Sequence, residues 1–153
     1  MKTIKEEVTA EIVEKKSRFI AKIFYVETEN MVEEKLKQIR REHYNAKHVC
    51  FAFSIMENNF NKTRFSDDGE PSGTAGKPLL GIIEKNNLQN VLIVVIRYFG
   101  GILLGAGGLT RAYNEAGITA LKKSDIIELE DGGILQVEIE YPDNEKFKYY
   151  CNK

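Results

Sequence analysis

Val91-Leu-Ile-Val-Val-Ile96 runs without a break into Arg97-Tyr-Phe-Gly-Gly-Ile-Leu-Leu-Gly-Ala-Gly-Gly-Leu-Thr-Arg-Ala-Tyr-Asn114. The first six residues are continuously apolar and mostly β-branched, which predicts a buried strand. Downstream, Leu109, Ala112, Ala116, Ala120 and Leu121 recur at helical spacing. The unit therefore reads as strand, glycine-rich loop, helix.

Gly100, Gly101, Gly105, Gly107 and Gly108 fall within nine residues of that loop. Such density marks positive-φ positions or close backbone approach. A glycine loop opening a helix also leaves N–H groups at the positive end of the helix dipole. An anion site flanked by Arg97, Thr110 and Arg111 is one reading; a tight turn with close helix–sheet packing is the other. Local residues leave both open. The familiar phosphate loops do not fit. Gly100 and Gly105 have Walker spacing, but Ala106-Gly107 replaces the Lys-Ser/Thr pair. Gly105-Ala-Gly107 begins a dinucleotide fingerprint, but Thr110 stands where its third glycine belongs.

Upstream, Val8, Ala10 and Ile12 alternate with Thr9, Glu11 and Val13. After a turn at Lys15-Lys-Ser17, a second alternation passes through Phe19, Ala21, Ile23 and Tyr25, so an antiparallel hairpin is predicted. Thr28 can cap a helix running to about Arg41, with Val32, Leu36 and Ile39 on one face. A third strand is predicted from Ala46 to Met56, with Val49, Phe51, Phe53 and Ile55 facing one way and His48, Cys50, Ala52 and Ser54 the other. Pro78 suits the first turn of a helix through Leu79, Leu80, Ile82 and Ile83 that ends near Asn86-Asn87. Ile126 to Leu129 reads as a short strand, Glu130-Asp-Gly-Gly133 as a boundary, Ile134 to Tyr141 as a strand and Asp143 to Lys153 as the start of a helix. This order predicts an α+β sandwich with helices packed on one face of a sheet.

With 153 residues and 42% apolar content, the chain can bury one sizeable core and carry a small appendage. A formal charge of −1 argues against a bulk nucleic-acid coat, so any RNA contact must come from a local basic patch. Val91–Ile96 is far too short to span a membrane. The N-terminus lacks the apolar centre of a signal peptide. Cys50 and Cys151 are too few and too far apart for a disulfide framework or a zinc site. A soluble, cytoplasmic protein is expected.

A second unusual stretch is Arg64-Phe-Ser-Asp-Asp-Gly-Glu-Pro-Ser-Gly-Thr-Ala-Gly-Lys-Pro78. Loops of this length and polarity are often functional. Asp67, Asp68 and Glu70 could offer oxygens to Mg²⁺ or Ca²⁺, although the spacing is not that of an EF-hand. The same acids can cap backbone N–H groups and pair with Arg64 or Lys77. Ser66, Ser72 and Cys50 have no base evident in the sequence, and His43 and His48 are expected in structural roles. Tyr98, Phe99 and Tyr113, beside Arg97 and Arg111, are candidates for stacking on single-stranded RNA, or for the core.

Taken together and in this order, Phe65–Pro78 and Arg97–Tyr113 closely resemble the IMPACT/YigZ family. Ser17-Arg-Phe-Ile20 and His48-Val-Cys50 resemble that family's strand motifs, and the likeness covers about the first 125 residues. The resemblance implies the α+β fold of the second domain of a small-subunit ribosomal protein and of domain IV of elongation factor G. It implies an N-terminal domain over residues 1–130 and, at 131–153, the start of a ferredoxin-like C-terminal domain cut short, packed on the first domain or a partner or poorly ordered. Eukaryotic relatives regulate translation under amino-acid starvation with an additional domain, and the bacterial branch is suspected of binding nucleic acid. The resemblance carries over no catalytic residue and no cofactor.

The leading expectation is a translation-associated binding protein that contacts RNA or a ribosomal or regulatory protein. Arg64, Lys77, Arg97 and Arg111, with Tyr98, Thr110 and the backbone of Gly100, Gly101, Gly105, Gly107 and Gly108, would meet the ligand. Asp67, Asp68 and Glu70 would shape the acidic loop. The alternative is a small Mg²⁺-dependent phosphate-ester or nucleotide-handling enzyme using those carboxylates.

Overall fold

The apolar run at Val91–Ile96 opens strand β6 (Val91–Tyr98) of the computed structural model, which describes residues 1–129. β6 pairs antiparallel with β3 (Ser17–Tyr25) on one side and β4 (His48–Glu57) on the other. β2 (Val8–Glu14) and β5 (Phe60–Ser66) form the edges, giving the order β2-β3-β6-β4-β5. Every pairing in this sheet is antiparallel. Val91 through Ile96 are all 0% exposed, since β6 is central and covered on both faces. Burial of this kind contributes about 1.5–3 kcal/mol for each such side chain.

The alternation along β4 and β6 decides the layering. Cys50, Ala52, Ile93 and Val95 face α2 (Gly76–Lys85) and α3 (Gly105–Lys123) in one cluster. Phe51, Phe53, Leu92 and Val94 face Val32, Leu36 and Ile39 of α1 (Glu29–Glu42) in another. The α+β class is as expected, and α2 and α3 do share a face. The single-face arrangement does not extend to α1, which covers the opposite side. The physical reason is that β4 and β6 are apolar on both faces, so the sheet has two surfaces to bury. Thr28 caps α1 as expected, accepting a bond from the Met31 N–H at 3.2 Å.

Several boundaries differ from the sequence reading. Arg64, Phe65 and Ser66 belong to β5, an edge strand whose polar, exposed sequence gives no alternation signal. Asn58 and Asn59 form the β4–β5 turn with φ of 53° and 65°, and Lys15 and Lys16 form the β2–β3 turn with 46° and 67°. Paired left-handed residues of this kind match the twist of a tight hairpin. Pro78 lies in the first turn of α2 as expected, with the helix starting two residues earlier at Gly76, and α3 begins at Gly105, inside the glycine run. β1 (Lys2–Ile4), three residues long, was not anticipated and pairs antiparallel with β7 (Ile126–Glu128). The boundary, strand and helix expected from 130 to 153 lie outside the described residues.

Two glycines fix how the motif stretches meet the sheet. A Cβ on Gly100 would stand 2.1 Å from the Lys16 carbonyl carbon and oxygen, so this loop lies directly on the β2–β3 turn. A Cβ on Gly76 would stand 2.6 Å from the Ser66 carbonyl oxygen, so α2 starts against the end of β5. Both approaches admit only hydrogen at the Cα.

Candidate functional site

His48 and Arg97 are register partners on β4 and β6, which places both side chains on the α2–α3 face at one end of the sheet. Glu70, carried by the loop after β5, closes over them. Arg97 Nη1 donates to Glu70 Oε1 and Oε2 at 2.9 and 2.8 Å. His48 Nε2 lies 3.1 Å from Oε1, and Tyr113 of α3 donates its hydroxyl to Oε2 at 2.5 Å. Arg97 Nη2 also donates to Ser17 Oγ at 3.3 Å, and that oxygen accepts the Gly100 N–H at 3.2 Å. Arg97 and Glu70 are only 5% and 8% exposed. The guanidinium carbon lies 5.5 Å from the ring centres of both Phe19 and Phe99. Burial pushes the Cys50 thiol up to about 12 and raises the Tyr113 hydroxyl well above its ordinary range, where Cys50 and the Glu70 carboxylate add to the effect.

The other two acids hold backbone. Asp67 Oδ1 accepts the N–H groups of Ala75 and Gly76 at 3.1 and 2.8 Å, and Oδ2 accepts that of Gly73 at 2.9 Å. It thereby supplies, from eight residues upstream, the cap that Ala75 cannot provide for α2. Asp68 Oδ2 accepts the Val49 N–H at 2.7 Å and pairs with Arg40 at 3.3 Å. The Asp68 carbonyl oxygen lies 2.7 Å from His48 Nδ1. Among the described residues, no three His, Cys, Asp or Glu side chains converge as a metal-ligand set.

The expected basic residues divide among three places. Arg64 lies on the α1 face, paired with Glu33 at 3.1 Å and placed 5.3 Å from the centre of the Phe53 ring. Arg97 is buried in the network. Lys77 and Arg111 come together, lining a groove of about 610 Å³ between α2 and α3. Thr110 lines it too, although its hydroxyl donates within the helix to the Ala106 carbonyl at 2.9 Å. Lys85, Asn86 and Asn114 add to the polar part of the groove, over a floor that includes Ile82 and Ile118. A smaller cavity continues past Lys85 and Ile118 to Lys122. Among the described residues, no carboxylate lines this groove and no ion pair engages Lys77, Lys85 or Arg111.

Lys85 and Lys122 were not singled out from the sequence, though the helical period holds the signal. Lys77, Gly81 and Lys85 repeat every four residues along α2, as do Asn114, Ile118 and Lys122 along α3. The aromatic residues expected to stack on bases are elsewhere. Tyr113 is fully buried, Tyr98 faces α1 and meets His43 Nδ1 at 2.6 Å, and Phe99 covers Arg97. The glycines also separate. Gly100 and Gly101 stay in the loop after β6, whereas Gly105, Gly107 and Gly108 form the first turn of α3.

Comparison with known proteins gives one consistent result. The Impact N-terminal domain model matches residues 15–121. IMPACT family member YvyE of Bacillus subtilis (strain 168) is 41% identical over 173 residues, covering 99% of this chain and 79% of that protein. IMPACT family member YigZ of Escherichia coli (strain K12) is 40% identical over 110 residues, covering 71% of this chain and 54% of that protein. A crystal structure described as that of a hypothetical protein superposes with a TM-score of 0.78 at 36% identity, covering 82% of this chain and 62% of the other. The chain thus spans about half the length of the Escherichia coli relative. It belongs to the IMPACT family.

Proposed function

We propose that this IMPACT-family chain is a translation-associated binding protein whose α2–α3 groove holds RNA by its phosphates. One observation carries the reading: Lys77, Lys85 and Arg111 line a single groove that no carboxylate lines among the described residues, although Arg111 also borders an adjoining pocket with Glu14 and Glu115. Three cations that make no ion pair among the described residues form a local positive field along one channel of a chain whose formal net charge is −1. Such a patch takes up a polyanion by releasing its counterions. Asn86 and Asn114 add neutral donors at the same surface. Because no aromatic side chain lines the groove among the described residues, base stacking has no platform there. Backbone contact without strong sequence preference is the expected mode. The translation association itself rests on the family resemblance.

The Mg²⁺-dependent enzyme reading has no comparable support. Asp67 and Asp68 give their oxygens to backbone N–H groups, and Glu70 gives its own to Arg97, His48 and Tyr113.

Sedimentation of the full chain with ribosomes at low and high salt tests the proposal. Co-sedimentation is expected at low salt and its loss at high salt. A chain carrying Lys77→Ala, Lys85→Ala and Arg111→Ala together should stay in the supernatant under both conditions. Pelleting of that triple variant like the unaltered chain would sink the groove assignment.

A further inference from the structure

Where α2, α3 and β7 meet, the groove continues as a cavity of about 310 Å³ lined by Lys85, Asn86, Ile118, Leu121, Lys122 and Ile126. Its floor is apolar, its polar residues are two lysines and an asparagine, and no carboxylate lines it among the described residues. Ile126 stands 44% exposed at its wall, apolar area open to an occupant. Lys85, Asn86 and Ile118 also line the larger part of the groove, so whatever fills this end overlaps the basic channel.

The chain itself supplies a segment of matching chemistry. Beyond Leu129, residues 130–145 carry six acids (Glu130, Asp131, Glu138, Glu140, Asp143 and Glu145) and no Lys, Arg or His. Within them Leu135, Val137, Ile139 and Tyr141 alternate with Gln136, Glu138 and Glu140, so one run of sequence combines an apolar series with an acidic one. The cavity offers the complement of both, an apolar floor between cations. Reach is no obstacle. Ile134 is eight positions along the chain from Ile126 in the cavity wall, up to about 27 Å of extended backbone. A segment tethered this closely has an effective concentration on the order of millimolar, so individually weak contacts suffice to hold it.

We propose that residues 134–141 dock in the β7 end of the α2–α3 groove of their own chain. Leu135, Val137, Ile139 and Tyr141 lie against Ile118, Leu121 and Ile126, which sets Glu138 and Glu140 at the rim. The long stems of Lys85 and Lys122 follow those carboxylates outward. Docking does not depend on RNA binding. Its consequence, that the segment competes with RNA at Lys85, rests on the RNA reading of the groove.

Paramagnetic broadening of amide NMR signals in the full chain tests the docking. A nitroxide is attached at Gln136→Cys in a Cys151→Ser background, where buried Cys50 stays unlabelled. Broadening is expected at Asn86, Ile118 and Lys122, and not at Leu36 or Ile39 of α1, which pack on the opposite face of the sheet. It should fade when Lys122→Glu is added, or Val137→Asp with Ile139→Asp, and persist with Lys37→Glu at an exposed position of α1. The proposal is overturned if the groove amides are not broadened or if both faces broaden equally. Broadening carried between molecules, in a mixture of isotope-labelled and spin-labelled chains, also overturns it and assigns the cavity to a second copy.

The competition has its own measurement. Val137→Asp with Ile139→Asp should raise affinity for a labelled ribosomal RNA hairpin about threefold or more, as removing a competitor that fills the site two-thirds of the time requires. Unchanged affinity alongside intact groove broadening in the parent chain overturns the competition. Absence of RNA binding by either chain, with that broadening intact, overturns the RNA assignment and leaves the docking standing.

Discussion

Glu70 and Arg97 meet inside the protein, with Arg97 Nη1 2.9 and 2.8 Å from the two carboxylate oxygens. One residue comes from each of the two unusual stretches of the sequence. The stretches are therefore joined by a buried ion pair, and much of their polarity is spent on holding each other to the end of the sheet. What remains free for a partner is set on α2 and α3, just beyond the network.

Breaking that pair should be expensive. Arg97→Ala leaves Glu70 buried without its main charge partner and is expected to cost about 3–5 kcal/mol in urea unfolding. Arg97→Lys should recover only part of this, since an ammonium cannot also reach Ser17 and stack between Phe19 and Phe99. The combined change Glu70→Leu with Arg97→Met should cost less than the sum of the single changes. Strict additivity would mean that the contact carries no coupling.

The acidic loop should behave as a structural cap. Asp67→Ala strips acceptors from Gly73, Ala75 and Gly76 and is expected to lower stability by about 2 kcal/mol. Because these oxygens are already committed, millimolar Mg²⁺ should leave the Tm unchanged. A concentration-dependent rise would reveal a metal site that stabilises the folded state.

Within one glycine run, two substitutions should act with opposite sign. Gly100→Ala drives a methyl group to 2.1 Å from the Lys16 carbonyl and should destabilise by about 2–3 kcal/mol. Gly107→Ala meets only the end of Arg111 at 3.6 Å, within a helix, and should stabilise by about 0.5–1 kcal/mol. Equal effects measured by thermal unfolding would mean that the loop does not rest on the β2–β3 turn.

Alkaline pH should weaken the fold in a defined window. Burial raises the Cys50 thiol from 9.0 to about 12, and burial followed by the Glu27 carboxylate raises Tyr25 from 10.0 to about 12. Each group loses its proton more readily in the unfolded chain, so the unfolded state binds fewer protons as the pH climbs. Their stabilisation is complete below about pH 8 and is lost progressively as the pH rises towards 12. Cys50→Ala should flatten this decline. Native Cys50 should also react slowly with thiol reagents at neutral pH, and rapid modification of the folded chain would contradict its burial.

The legible part of the fold was the part with strong periodicity. The apolar run of β6, the alternation in β4, and the spacing of Val32, Leu36 and Ile39 on α1 each gave an element its position. β5 carried no such pattern, because an exposed edge strand needs no apolar face; its one local sign was the Asn58-Asn59 turn. Arg97 looked like a surface cation because it follows an apolar run, whereas its actual environment depends on Glu70, 27 residues away. Lys77 and Arg111 are expected from the sequence at one ligand surface with Arg64 and Arg97, yet the groove that unites only the first two arises from the packing of α2 against α3.

The salt dependence of RNA binding by single variants tests the groove most directly. With a labelled ribosomal RNA hairpin, Lys77→Ala, Lys85→Ala and Arg111→Ala should each reduce the slope of log K against log salt by roughly 0.7–0.9. Arg64→Ala, on the opposite face and paired with Glu33, should leave the slope unchanged. Unchanged slopes in all three groove variants, or an equal loss in Arg64→Ala, would contradict phosphate binding between α2 and α3.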